Sequence, residues 1–151
     1  MKVKVLWKEK MFFSGEASGF AVPMDARSPI GSSSAPTPKE LVALGLAGCT
    51  AMDVAALMKK HRQPVESMEV AVNVQTSEGR TPSVFQDIEV VFQAKGAVDK
   101  DKLVEAVHLS QTQYCGVSEM LANFCPVHYR VELNGEQVGK GEARFKKEAF
   151  K

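Results

Sequence analysis

The stretch Leu41–Leu57, LVALGLAGCTAMDVAAL, decides the fold. It is apolar except at Thr50 and Asp53, and Lys59 and Lys60 follow it. A membrane span needs roughly 18 uninterrupted apolar residues, and a central aspartate would cost it roughly 2.5 to 3.5 kcal/mol. The stretch therefore predicts a helix of a soluble domain. Its ends are marked: Thr37-Pro38-Lys39-Glu40 puts a threonine at the N-cap, proline at the first helical position and glutamate at the third, where it reaches back to the cap N–H. His61 and Arg62 suit the negative end of the dipole, and Pro64 stops further winding. A helix from Pro38 to Arg62 is about 37 Å long at about 1.5 Å per residue, close to the diameter of a domain of this size. Apolar almost all round, it needs cover almost all round. A second copy of the chain, approaching along Gly45, Gly48 and the neighbouring alanines, would supply it; the simpler arrangement is a central helix packed on a sheet.

Working outward, Val3–Trp7, Met11–Phe13 and Gly19–Val22 are short apolar or alternating runs, with turn residues at Ser14-Gly15 and Ser18-Gly19, and predict an antiparallel meander. Asp25–Thr37, DARSPIGSSSAPT, predicts a loop whose length points to function or mobility. Beyond the helix, Met68–Thr76 and Ser83–Gln93 predict a hairpin of long strands, Asp99–His108 a capped helix, and Val117–Phe124 a second short helix. Tyr129–Leu133 and Glu136–Phe145 form a last hairpin around Asn134-Gly135. The order is that of a mixed α+β domain without regular βαβ alternation.

At 151 residues, 44% hydrophobic and 25% charged, the chain is expected to form one globular domain, 1–151. A net charge of +1 argues against the basic surface of a nucleic-acid binder and against polybasic membrane adsorption. The first ten residues lack the apolar core of a secretory leader and the three cysteines are an odd number, so the expected compartment is a reducing cytoplasm.

Phosphate-loop, HExxH and GxSxG motifs are missing, which removes nucleotide-dependent and common hydrolase chemistry and leaves the cysteines. Cys115 precedes a short helix, where free N–H groups and the positive dipole end favour a thiolate. Cys49 lies inside the long helix, with Asp53 one turn on and on the same face; that carboxylate needs a donor or cation and opposes ionisation of Cys49. Cys125 and His128 make half of a zinc pattern without its partner pair, so no metal site is expected.

Two motifs, Pro38-Lys39-Glu40-Leu41 running into Gly45-Leu46-Ala47-Gly48-Cys49-Thr50-Ala51-Met52-Asp53-Val54, and the distant Tyr114-Cys115-Gly116-Val117-Ser118, together resemble the OsmC/Ohr superfamily, named for osmotically inducible protein C and organic hydroperoxide resistance protein. The resemblance implies an OsmC-like α+β fold, with antiparallel sheets wrapped around long central helices in an intertwined homodimer. It also implies a stress-response activity, thiol-dependent reduction of organic hydroperoxides. Cys49 would be the attacking cysteine, Cys115 the resolving one and Cys125 a spectator, with no bound cofactor and a lipoyl-type dithiol as reductant. The peroxidases hold their thiolate with an arginine near the first turn, yet Ser14–Gly19 reads SGEASG; their orienting glutamate falls at Lys39, beside Glu40. Arg27 or Arg62 is the available substitute, from the same chain or its partner. These departures place the chain nearer the less characterised branch. The alternative function is non-catalytic binding of a hydrophobic or thiol-containing ligand in an interfacial cavity.

Overall fold

The computed structural model describes residues 1–146. The chain divides into two units, Met1–Leu44 and Gly45 onward, with the boundary inside the long helix. In the first unit, β1 (Val3–Glu9), β2 (Phe12–Ala17) and β3 (Phe20–Met24) form an antiparallel sheet in that order. Ser18 and Gly19, both at positive φ, close the two-residue turn between β2 and β3. The other predicted turn, Ser14-Gly15, lies instead within β2, paired to β1 and β3; the chain reverses earlier, at Lys10-Met11. Every residue of β1 is exposed.

The Asp25–Thr37 loop is tied down rather than loose. Asp25 is only 2% exposed, and its carboxylate accepts from the N–H and hydroxyl of Ser32 and of Ser34. Those bonds, the Ser32 hydroxyl first, hold its pKa far below the usual carboxylate range. Gly31 is required here, because a Cβ would run into the Ala26 carbonyl and the Asp25 carboxylate.

Helix α1 spans Pro38–Lys60. Its start is the predicted capping box: Glu40 accepts from the Thr37 N–H at 2.7 Å, and the Glu40 N–H donates to the Thr37 hydroxyl at 3.3 Å. Its end comes before Arg62 because that residue takes positive φ and closes a Schellman motif, with Arg62 N–H on the Lys59 carbonyl and Gln63 N–H on the Met58 carbonyl.

In the second unit, β4 (Val65–Thr76), β5 (Phe85–Gly96), β6 (Val127–Leu133) and β7 (Glu136–Glu142) form one sheet in that order. The pairings are antiparallel except β5 with β6, which is parallel because helical segments connect them. Those segments are α2 (Lys100–Leu109), a π-helical turn (Ser110–Tyr114) and α3 (Gly116–Ala122). Asp99 caps α2 as predicted, accepting from the N–H groups of Asp101 and Lys102. The core gathers Ile88, Val90 and Phe92 of β5, Val127 and Val131 of β6, Leu103 and Val107 of α2, and Leu46, Val54 and Met58 of α1. α1 buries one stripe in this core, Leu46, Thr50, Val54 and Met58, each one turn from the next. It is long and apolar enough to cross a bilayer, but that stripe makes it a core helix and not a span.

Candidate active site

Cys49 and Asp53, one turn apart on α1, meet Cys115 at the start of α3: the two Sγ atoms and an Asp53 carboxylate oxygen lie within 4.8 Å of one another. All three cysteines are free thiols. Cys49 is half-buried, whereas Cys115 is fully buried and belongs to the core. Cys115 is the N-cap of α3, and its Sγ accepts from the Ser118 N–H at 3.3 Å. That arrangement favours a thiolate, as the sequence predicts, but burial outweighs it. Desolvation, reinforced by the hydrogen bond and charge of Cys49, pushes the Cys115 thiol up to about 11, against the pull of Ser118.

Behind the thiols runs a buried polar chain that sequence reasoning missed. The Ser118 hydroxyl donates to Gln111 Oε1 at 3.1 Å, and Gln111 Nε2 donates to the Thr50 hydroxyl at 2.6 Å. Thr50 and Ser110 hydroxyls are 2.8 Å apart, and Ser110 donates to Asp53 Oδ2 at 2.9 Å. Since Ser110 spends its proton on Asp53, Thr50 must donate to Ser110. Every donor then points along one path, from α3 through the π-helical turn and α1 to the Asp53 carboxylate. Thr50, Ser110, Gln111 and Ser118 are all fully buried, and no buried side-chain polar atom among the described residues lacks a partner. The π-helical turn, closed by the Cys115 N–H on the Ser110 carbonyl at 3.0 Å, aims Ser110 and Gln111 inward and delivers Cys115 to the helix start. The signal was present: Leu103, Ala106 and Val107 continue at helical spacing to Ser110 and Gln111, so two polar residues sit where core is expected.

Arg27 and Glu40, the other predicted site residues, come together in the first unit as an ion pair. Glu40 thus serves both the helix cap and Arg27, and the paired bonds, those from Thr37 first, lower its pKa. Both line an open depression of about 420 Å³ with Leu44. Cys125 is buried and its thiol is pushed up by desolvation and then by Asp87. His128 pairs with Asp87 at 3.4 Å, so the half-pattern is used otherwise.

The profile of the OsmC-like protein family matches residues 31–130. The chain is 37% identical over 137 residues to protein YhfA of Escherichia coli K12, covering 88% of this chain and 98% of that one. In fold it is similar to the crystal structure of an OsmC-like protein from Mycoplasma pneumoniae (TM-score 0.77, 14% identity, 87% of this chain and 95% of the other). It is also similar to an organic hydroperoxide resistance protein from Elizabethkingia anophelis (TM-score 0.66, 14% identity, 89% and 97%).

Proposed function

This chain belongs to the OsmC-like protein family, and from that premise we propose that it reduces organic hydroperoxides with Cys49 and Cys115 as a redox pair. The observation that carries the reading is the convergence of the two thiols within 4.8 Å. The Cys49 thiolate attacks one peroxide oxygen, the O–O bond breaks, and the departing alkoxide takes a proton to become an alcohol. Cys49 is left as a sulfenic acid. Cys115 attacks its sulfur, forms the disulfide and expels hydroxide, which leaves as water with the Cys115 proton. A dithiol, of the lipoyl type that the family resemblance implies, returns two electrons and restores both thiols.

The environments of the two cysteines support this division of labour. Cys49 is reachable by a peroxide, while Cys115 is sealed in the core and held as a neutral thiol by its surroundings, which suits a group that acts second. Cys49, Val117 and Leu121 pack against the apolar core to which Cys115 belongs, an environment that favours an alkyl or aryl peroxide over hydrogen peroxide. Arg27 is the cation we assign to the thiolate. Glu40 orients it, as the glutamate orients the arginine in the peroxidases the chain resembles, and a second copy delivers it in an intertwined homodimer. A reducing cytoplasm is the compartment that keeps the pair as thiols.

The test is consumption of cumene hydroperoxide in the presence of dihydrolipoamide, with wild type and Cys49→Ser side by side. Wild type should turn over and Cys49→Ser should not; equal residual peroxide in both overturns the peroxidase reading. A ligand retained in native mass spectra, with thiols inert to peroxide, would establish the binding function instead.

A further inference from the structure

Asp53 has no part in the peroxide steps, yet it is built into the site with care. Its Oδ2 is held by the Ser110 hydroxyl, and its carboxylate stands with Cys49 Sγ and Cys115 Sγ inside 4.8 Å. Fully deprotonated, these would be three anions in one partly buried place. Within one chain, none of the ion pairs among the described residues brings a Lys, Arg or His to any of them, and the Arg27 assigned above to the Cys49 thiolate would give way to the cation. Two thiolates and a carboxylate form a donor set for a thiophilic divalent cation. Zinc takes sulfur at about 2.3 Å and carboxylate oxygen at about 2.0 Å, which puts tetrahedral ligands about 3.5 to 3.8 Å apart. Binding would draw this cluster in from its present spread of up to 4.8 Å to that spacing. The bond from Ser110 to Asp53, continued through Thr50 and Gln111, is the kind of outer-shell support that orients a ligating carboxylate.

We propose that reduced Cys49, Asp53 and Cys115 form a three-ligand site for a thiophilic divalent cation of the zinc class, its fourth position open, and that cation and peroxide compete for the same dithiol. The competition rests on the peroxidase reading; the metal site does not. Binding displaces the two thiol protons. Oxidation reverses it: two thiolates and one hydroperoxide, with two protons, give the disulfide, an alcohol and water, and the disulfide no longer holds the cation.

The test is an anaerobic titration of the reduced protein with Zn²⁺ against a chromophoric chelator, repeated with Co²⁺ to read the thiolate-to-metal absorption. Stoichiometric binding and a cobalt–thiolate band are expected. Cys115→Ser and Asp53→Asn should each weaken binding by about tenfold or more, since even outer-shell partners act on that scale, and Cys125→Ser should leave it unchanged. Asp53→Asn keeps an acceptor for Ser110, so its loss of affinity reports ligation and not misfolding. Absence of stoichiometric zinc, or binding that depends on Cys125 and not Cys115, overturns the site. If zinc binds while peroxide is untouched, the site stands and the peroxidase reading falls. If peroxide turns over at an unchanged rate in excess zinc and no zinc is retained, the metal site falls alone.

Discussion

The first 44 residues and the rest of the chain are stabilised by different physics. From Gly45 on, Leu46, Ile88, Phe92, Leu103, Val107 and Val131 are buried to 1% exposure or less and packed in one core. In the first unit Val5, Leu6, Trp7 and Phe20 are exposed, Trp7 at 64%. Its order comes from backbone ladders, the Asp25 knot and the Thr37–Glu40 cap. A three-stranded sheet needs a buried apolar face to persist in water, and a patch of this kind marks an interaction surface. On α1, Leu44 and Met52 are likewise exposed, and a Cβ at Gly45 or Gly48 would meet open space. A second copy, as proposed above, would cover both surfaces.

The contrast can be broken at several points, in descending size. Phe92→Ala should destabilise the protein by about 3 to 5 kcal/mol in urea unfolding, as large core truncations do; a cost under 1 kcal/mol would mean that the β5 core is not the main store of stability. A pH change separates the two units. The Cys115 thiol is raised from an ordinary 9.0 to about 11, so between those values the unfolded chain loses a proton that the folded chain keeps. Stability of the metal-free reduced protein should therefore fall as pH rises through that window, by about 2 to 3 kcal/mol, and Cys115→Ala should remove the dependence. Asp25 works the other way. Its pKa is lowered from 3.8, so the stability it gives the loop is fully present above that value and is lost as pH falls below it, which the amide resonances of Ser32 and Ser34 should report.

Trp7→Asp should leave the C-terminal core intact by circular dichroism but weaken self-association by about 2 kcal/mol or more, the scale of an aromatic anchor at an interface. Unchanged sedimentation would remove the second copy from the account. Smallest, Thr37→Ala should cost about 1 kcal/mol as a lost N-cap, seen as a lower thermal midpoint.

Sequence reading recovered the parts governed by local chemistry. The Thr37–Glu40 capping box, the Asp99 cap, the Ser18-Gly19 and Asn134-Gly135 turns and the periodic strands are all local signals, and all stand within a few residues of where they were expected. It misplaced Ser14-Gly15 because a glycine inside a paired strand looks like a turn until its neighbours are known. It left the Asp25–Thr37 loop open between function and mobility, since composition does not reveal that one carboxylate gathers the serines. Of the candidate residues the structure brings the two cysteines and Asp53 together, but the thiolate favoured at Cys115 by its helix position overlooks the burial that outweighs it. Ser110 and Gln111 went unseen because their Thr50 partner lies across the fold, about sixty residues away, and Ser118 because it joins the polar chain only through Gln111.

The central claim is that Cys49 and Cys115 are partners in one two-electron step. Its most direct test is to treat the reduced protein anaerobically with one equivalent of cumene hydroperoxide and map its cysteine peptides by mass spectrometry without reduction. The account predicts a Cys49–Cys115 disulfide formed in proportion to peroxide consumed, with Cys125 still a thiol. Intact thiols beside unconsumed peroxide, or a disulfide that recruits Cys125 instead, would contradict it.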